Sequence, residues 1–197
     1  MTSPRPVDRD SLDDLERELI GRVRGRVLEI GAGEGENFGA FALDVEWIGL
    51  EPDADRRVEL ATRAREWRHD AEPLDAVAEA IPLPDHSVDA VVGTYVLCSV
   101  ADQAVALAEV RRVLVPGGRV VFVDHVAAPH GTAKRAIQRL ATPISKRWCH
   151  GCHWDRETEQ ALVDAGFVGT DVRRFRARSL PFGPVPILMF EGRAPGE

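Results

Sequence analysis

The stretch Val27-Leu28-Glu29-Ile30-Gly31-Ala32-Gly33-Glu34-Gly35-Glu36-Asn37 decides the fold. A short, mostly apolar strand, Arg26–Ile30, runs straight into three glycines at alternate positions, and a helix-like pattern follows. Where Cβ atoms are missing the main chain can bend tightly and let a ligand approach, and the segment starting there offers free N–H donors. Working outward, Val45–Leu50 reads as a second strand, Asp53–Trp67 as a helix, and Leu74–Ala78 holds a weak third strand. Val88–Gly93 is a fourth strand. Asp102–Val115 is an amphipathic helix with Leu107, Val110 and Leu114 on one face, stopped by Pro116. Gly117-Gly118 then turns into a fifth strand, Arg119–Asp124. Asp155–Ala165 reads as a late helix, and Phe167–Phe175 and Ile187–Gly192 as the last strands. Continuous apolar strands alternating with helices predict a doubly wound α/β fold with a mostly parallel, seven-stranded sheet covered on both faces. Such sheets bind ligands beyond the carboxyl ends of their strands.

The ends and the bulk properties set limits on function. Residues 1–10 carry two prolines and read as a flexible arm, with a helix opening at Ser11 as its cap. At 197 residues one domain, 1–197, is expected. A net charge of −7 speaks against nucleic acid as a partner, since phosphate binding needs a basic face. Met1–Asp14 lacks the apolar core of a secretory signal. The longest uncharged runs, Ala90–Ala101 and Ser179–Phe190, are 12 residues each, against the ~20 that a membrane-spanning helix needs. Three cysteines, Cys98, Cys149 and Cys152, are too few for a disulfide scaffold. These features predict a cytoplasmic protein, monomeric or homodimeric, with a small-molecule partner and at most peripheral membrane contact.

Two nucleosides compete for the glycine turn. A dinucleotide fingerprint wants a glycine where Glu36 stands, and carboxylates at Glu34 and Glu36 would repel a pyrophosphate. S-adenosyl-L-methionine (SAM) has no phosphate and carries a sulfonium and an ammonium group, so the acids favour it. Glu51, in Glu51-Pro52-Asp53, ends the second strand, where a carboxylate can accept both ribose hydroxyls. That feature fits NAD as well as SAM. Asp53 reads as a helix cap while Glu51 faces the ribose.

Two further runs, Glu79-Ala80-Ile81-Pro82-Leu83-Pro84-Asp85-His86-Ser87-Val88-Asp89-Ala90-Val91 and Arg112-Val113-Leu114-Val115-Pro116-Gly117-Gly118, complete a pattern over residues 25–125. It resembles the class I SAM-dependent methyltransferases. The resemblance implies that Glu29, Gly31 and Gly33, with Ala32 and Asn37 of the same turn, line the methionine and ribose side. It implies Glu51, with Pro52, at the ribose, Ala78 and Glu79 near the adenine, and Thr94-Tyr95 beside the amino-acid part. Relatives often carry an acid where this chain has Val77, so the adenine amino group is expected to meet backbone or water there.

A narrower resemblance runs through Tyr95-Val96-Leu97-Cys98-Ser99-Val100, Asp124-His125-Val126-Ala127-Ala128 and Gly151-Cys152. These segments resemble the small thiol S-methyltransferases of the animal methyltransferase-like group, which implies an alkyl thiol acceptor. It also implies an N-terminal membrane anchor, which Met1–Asp14 does not supply. Residues His125–Trp154 hold no Asp or Glu, five Lys or Arg and four of the six histidines. Residues 126–154 are therefore expected to form a lid that favours an anionic acceptor such as a thiolate. The alternative is a solvated basic helix with Ile137, Leu140 and Ile144 packed inward. His125 is the leading general base, by its place after a strand and its titration near neutrality, unless it is a hydrogen-bonded structural residue. His150 and His153 are further catalytic candidates bordering the acceptor. Cys98 reads as a small buried residue. Cys149-His150-Gly151-Cys152-His153 resembles half of a zinc site without a second pair, so no metal is expected. Other readings are a phospholipid amine, quinone or lipid-like acceptor, a SAM-binding subunit without catalysis, and an NAD-dependent oxidoreductase.

Overall fold

The computed structural model describes residues 5–69, 71–148, 151–177 and 183–196. One seven-stranded sheet organises them: β1 (Arg5–Val7), β2 (Arg26–Ile30), β3 (Glu46–Leu50), β4 (Val88–Thr94), β5 (Leu114–His125), β6 (Val168–Ala177) and β7 (Val185–Arg193). The strands lie in the order β1-β6-β7-β5-β4-β2-β3. Only β7 runs against its neighbours, pairing antiparallel with both β5 and β6, while β1–β6, β2–β3, β2–β4 and β4–β5 are parallel.

The sheet has the expected number of strands with one substitution. Residues 74–78 contribute a single bridge, Leu50 to Leu74, in place of a third strand. The seventh strand is Arg5–Val7, inside the stretch expected to be a flexible arm, paired with Phe175–Ala177 at the sheet edge. Asp8, rather than Ser11, caps the first helix α1 (Arg9–Ile20), its carboxylate accepting from the Ser11 N–H at 2.9 Å. Asp53 caps α2 (Ala54–Glu66) and Asp102 caps α3 (Gln103–Val113), each accepting from two N–H groups of the first turn. Two further helices follow, α4 (Ala133–Trp148) and α5 (Thr158–Asp164).

Strands buried on both faces read as continuous apolar runs, and Val120–Val123 of β5 are fully buried. One core layer lies between the sheet and α3 and α5, around Leu28, Val91, Leu107, Val110 and Phe122. The opposite layer packs Leu12, Leu19, Trp47, Leu60 and Val121 between the sheet and α1 and α2. Because β2–β5 are parallel, their carboxyl ends meet at one edge. Gly31, Glu51, Thr94-Tyr95 and His125 follow or end those four strands.

Helix α4 sits in the expected lid, but the wrong way round for an ordinary amphipathic helix. Its buried positions, Arg135, Gln138, Thr142 and Ser145, are all polar, whereas Ile137 is 64% and Leu140 80% exposed. The expected inward packing of Ile137 and Leu140 is thus overturned; the Ile144 side chain lies outside the described residues. Hydrogen bonds drive the inversion. Gln138 accepts from Ala128 N–H and donates to the Val126 carbonyl, Thr142 donates to Gln138 O and contacts Asp155, and Arg135 pairs with Glu157.

Candidate active site

The glycine turn, α1 and the ends of β4 and β5 enclose a cavity of about 860 Å³. Gly31 opens it in the left-handed region, at φ +61°, with Val96 so close that a Cβ there would lie 2.6 Å from Cγ2. Gly35, at φ +89°, leaves room for the Phe38 ring, which a Cβ would meet at 2.2 Å. This backbone path brings Gly31, Ala32, Gly33 and Asn37 onto the cavity wall, where Thr94 and Tyr95 join them from β4.

Tyr95 is itself held at φ +54°, a costly conformation for an aromatic residue, and its N–H donates to Val123 O at 2.6 Å. Its ring lies 5.0 Å from that of His125, centroid to centroid. The acidic groups on the wall are Asp13, Glu16, Glu34 and Glu36, interspersed with Arg9, Arg17 and Arg56. Burial, reinforced by Asp13, pushes Glu16 up to about 7.

Not every expected cofactor residue reaches the wall. Glu29 is buried behind it, its Oε1 accepting from Asn37 Nδ2 and its Oε2 from Trp47 Nε1, both at 2.7 Å. Glu51 is 5% exposed and clamps the turn from below, with Oε2 accepting from Gly33 N–H and Oε1 from Asp53 N–H at 2.9 Å each. Pro52 and Ala78 are not on the cavity wall, nor is Glu79, whose Oε1 accepts from Ala101 and Asp102 N–H at the start of α3. Both carboxylates thus hydrogen-bond within the turn and its supports.

The far end of the cavity is walled by Cys98, Ser99, His125, Cys152 and Trp154. Of the three expected catalytic histidines, His125 stands on this wall. His153 lies beside it, its N–H donating to Cys98 O at 2.7 Å. His150 falls outside the described residues. Sequence reasoning took Cys98 as inert, and it missed Cys152 and Trp154 as wall residues. It also missed the polar face of α1, because an amphipathic helix is scored by its apolar side. Buried Asp124 supports the wall from behind: Oδ1 accepts from Cys98 N–H at 3.1 Å, Oδ2 has no partner, and burial holds its carboxyl well above the usual range. A hydrogen bond involving Cys152, with burial, pushes the Cys98 thiol up to about 12.

A glycine cradle with left-handed turns, four acids on its wall and a polar Asn37–Thr94 corner fit SAM. The carboxylates would hold the cofactor's positive groups, and bound SAM would supply a methyl already activated on sulfonium. The protein's part is then to align an acceptor with it.

Comparison with known proteins agrees. Residues 28–122 match the family model described as a methyltransferase domain. The thiol S-methyltransferase TMT1B of Homo sapiens is 33% identical over 192 residues, covering 91% of this chain and 79% of that protein. Among solved structures, YcgJ of Bacillus subtilis superposes with a TM-score of 0.74 at 18% identity, covering 95% of this chain and 99% of that one. Geranyl diphosphate C-methyltransferase of Streptomyces coelicolor A3(2), solved with S-adenosyl-L-homocysteine bound, gives 0.74 at 16%, covering 94% and 76%. The chain belongs to the class I SAM-dependent methyltransferases and is an enzyme that takes its methyl group from SAM.

Proposed function

We propose that the acceptor is a small alkyl thiol, methylated on sulfur, and that residues 1–197 act as one catalytic domain. The observation carrying this is the far wall of the cavity, where Cys98, His125 and Cys152 converge beyond the cofactor cradle. Soft sulfur and imidazole groups suit a sulfur acceptor, and the relative named a thiol S-methyltransferase matches 91% of this chain over 79% of its own length. The thiol enters past Trp154, and its sulfur approaches the SAM methyl in line with the bond that breaks. A neutral thiol must lose its proton for this, because the thiolate is the nucleophile. His125 is the catalytic histidine at that sulfur, with His153 beside it and His150 in the same segment.

A lipid-like acceptor is the second reading, favoured by the outward apolar face of α4 at Ile137 and Leu140. Turnover with a panel of small alkyl thiols, followed as S-adenosyl-L-homocysteine release, tests the first reading. A parallel arm uses vesicles with amine headgroups. Turnover with thiols alone is expected; turnover confined to the vesicle arm would replace the thiol reading with the second.

A further inference from the structure

Cys98, His125 and Cys152 arrive from three different parts of the chain: the loop after β4, the last residue of β5, and the loop after α4. One ligand atom from each lies within 4.8 Å of the other two. Cys152 Sγ and His125 Nδ1 are 3.9 Å apart. Both cysteines are buried. With Zn–S near 2.3 Å and Zn–N near 2.0–2.1 Å, a tetrahedral zinc places a sulfur and a nitrogen ligand roughly 3.6 Å apart. The Cys152–His125 spacing needs a few tenths of an ångström of closure, and a pair at the 4.8 Å limit needs about 1 Å.

We propose that Cys98, His125 and Cys152 bind one zinc ion, whose fourth position opens into the cavity. The donor set is the argument for the metal, since two thiolates and an imidazole suit zinc and disfavour magnesium or calcium. Three protein ligands with one open position is the pattern of a catalytic rather than a structural site. Preorganisation is the second argument. The Cys98 carbonyl accepts from His153 N–H at 2.7 Å, the Cys152 carbonyl accepts from Ser145 Oγ at 2.7 Å, and Cys98 N–H is fixed to Asp124. Both cysteine backbones are therefore pinned by groups outside the donor set, as outer-shell partners pin ligands in metal sites. Asp124, fully buried beside Cys98, keeps Oδ2 without a hydrogen-bond partner.

The site deepens the thiol reading and rests on it for its use. On metal uptake each cysteine gives its proton to solvent. The acceptor R–SH then gives its proton to solvent as its sulfur takes the fourth position on zinc. The acceptor sulfur forms the new S–CH₃ bond while the sulfonium C–S bond breaks. That bonding pair stays on S-adenosyl-L-homocysteine, and the methyl thioether leaves. The net change is thiol plus SAM to thioether, S-adenosyl-L-homocysteine and one proton. His125 then acts as a ligand to the metal that holds the thiolate.

The test uses the full chain without a histidine tag, kept reduced with a phosphine. About one zinc per chain is expected by elemental analysis, falling at least tenfold in Cys98→Ser, Cys152→Ser and His125→Ala. Cobalt(II) replacing zinc is expected to show thiolate-to-metal charge transfer and intense four-coordinate visible bands, and a small alkyl thiol should shift them. Thermal unfolding of each variant separates lost ligands from lost fold, and the wild-type cobalt spectrum needs no variant at all. Wild-type protein that neither retains zinc nor binds added zinc or cobalt(II) would overturn the proposal. So would zinc lost in Cys149→Ser and kept in Cys98→Ser. Metal binding without thiol turnover would instead sink the thiol reading and leave the site standing.

Discussion

Asn37 Nδ2 lies 2.7 Å from Glu29 Oε1 and 2.9 Å from Thr94 Oγ1, so one amide joins a buried carboxylate on β2 to the cavity wall at the end of β4. Burial pushes Glu29 up to about 7, and the hydrogen bonds from Asn37 and Trp47 oppose it only in part. A carboxylic acid with a raised folded pKa holds a proton that the unfolded chain has released. Stability should therefore fall as pH rises from the ordinary value near 4.5 to 7, by about 3 kcal/mol from this group, and be flat in this respect above 7. Glu29→Gln should remove that slope while costing about 1–3 kcal/mol at pH 5, because an amide cannot accept from both donors. Denaturant titrations of both proteins at pH 5, 6, 7 and 8 measure the difference, and parallel pH curves would refute it.

Glu16 on α1 predicts a pH dependence of binding rather than of folding. Its pKa of about 7, raised by burial and by Asp13, leaves it mostly protonated at pH 6 and mostly ionised at pH 8. A cationic cofactor binds the ionised form better, so SAM affinity should rise up to about tenfold between those pH values through this group. Glu16→Gln should remove that part of the change. Calorimetric titration of both proteins with SAM isolates it, since the cofactor's own titration is common to both. An equal pH response in the variant would place Glu16 out of reach of the cofactor's charge.

The layout of the fold was legible because β4 and β5 carry the buried apolar runs Ala90–Val92 and Val120–Val123, with capping acids at Asp53 and Asp102 marking helix starts. Arg5–Val7 was not, because an edge strand of three residues is fixed by pairing with β6 and carries little pattern of its own. Gly31, Gly33 and Asn37 were read from the local chemistry of the turn, and the structure places them on the cavity wall. Glu29 and Glu51 were read as ligand-facing because a carboxylate near a glycine turn looks the same in sequence whether it faces the ligand or holds the turn. The Cys98–His125–Cys152 cluster was hidden for a different reason. Successive members are 27 residues apart, and only the folded loops after β4 and α4 bring the two cysteines beside the end of β5.

Gly31→Ala is expected to injure the cofactor site more than the fold. The left-handed φ of +61° costs a non-glycine residue roughly 1–2 kcal/mol, and the added Cβ would press on Val96 Cγ2 at 2.6 Å. SAM affinity should fall tenfold or more while unfolding stays cooperative. Adding Val96→Ala should restore part of the loss by removing the clash and leave the backbone strain. SAM titration of the single and double variants separates the two contributions. Full recovery in the double variant would mean that strain at Gly31 is negligible.

Helix α4 gives the opposite mutational pattern from a normal amphipathic helix. Ile137 and Leu140 face outward, so Ile137→Asp and Leu140→Asp should each change stability by less than about 0.5 kcal/mol. Gln138 is 5% exposed and serves both Ala128 N–H at 2.7 Å and the Val126 carbonyl at 3.1 Å. Gln138→Ala leaves those groups unpaired just beyond His125 and should cost about 1–3 kcal/mol. Because residues 126–128 follow His125 directly, the same change should lower turnover, whereas the two aspartate variants should leave turnover with a small soluble acceptor intact. Denaturant unfolding and S-adenosyl-L-homocysteine release on the three variants decide it. A large destabilisation by Leu140→Asp with a silent Gln138→Ala would mean that α4 packs by its apolar face after all.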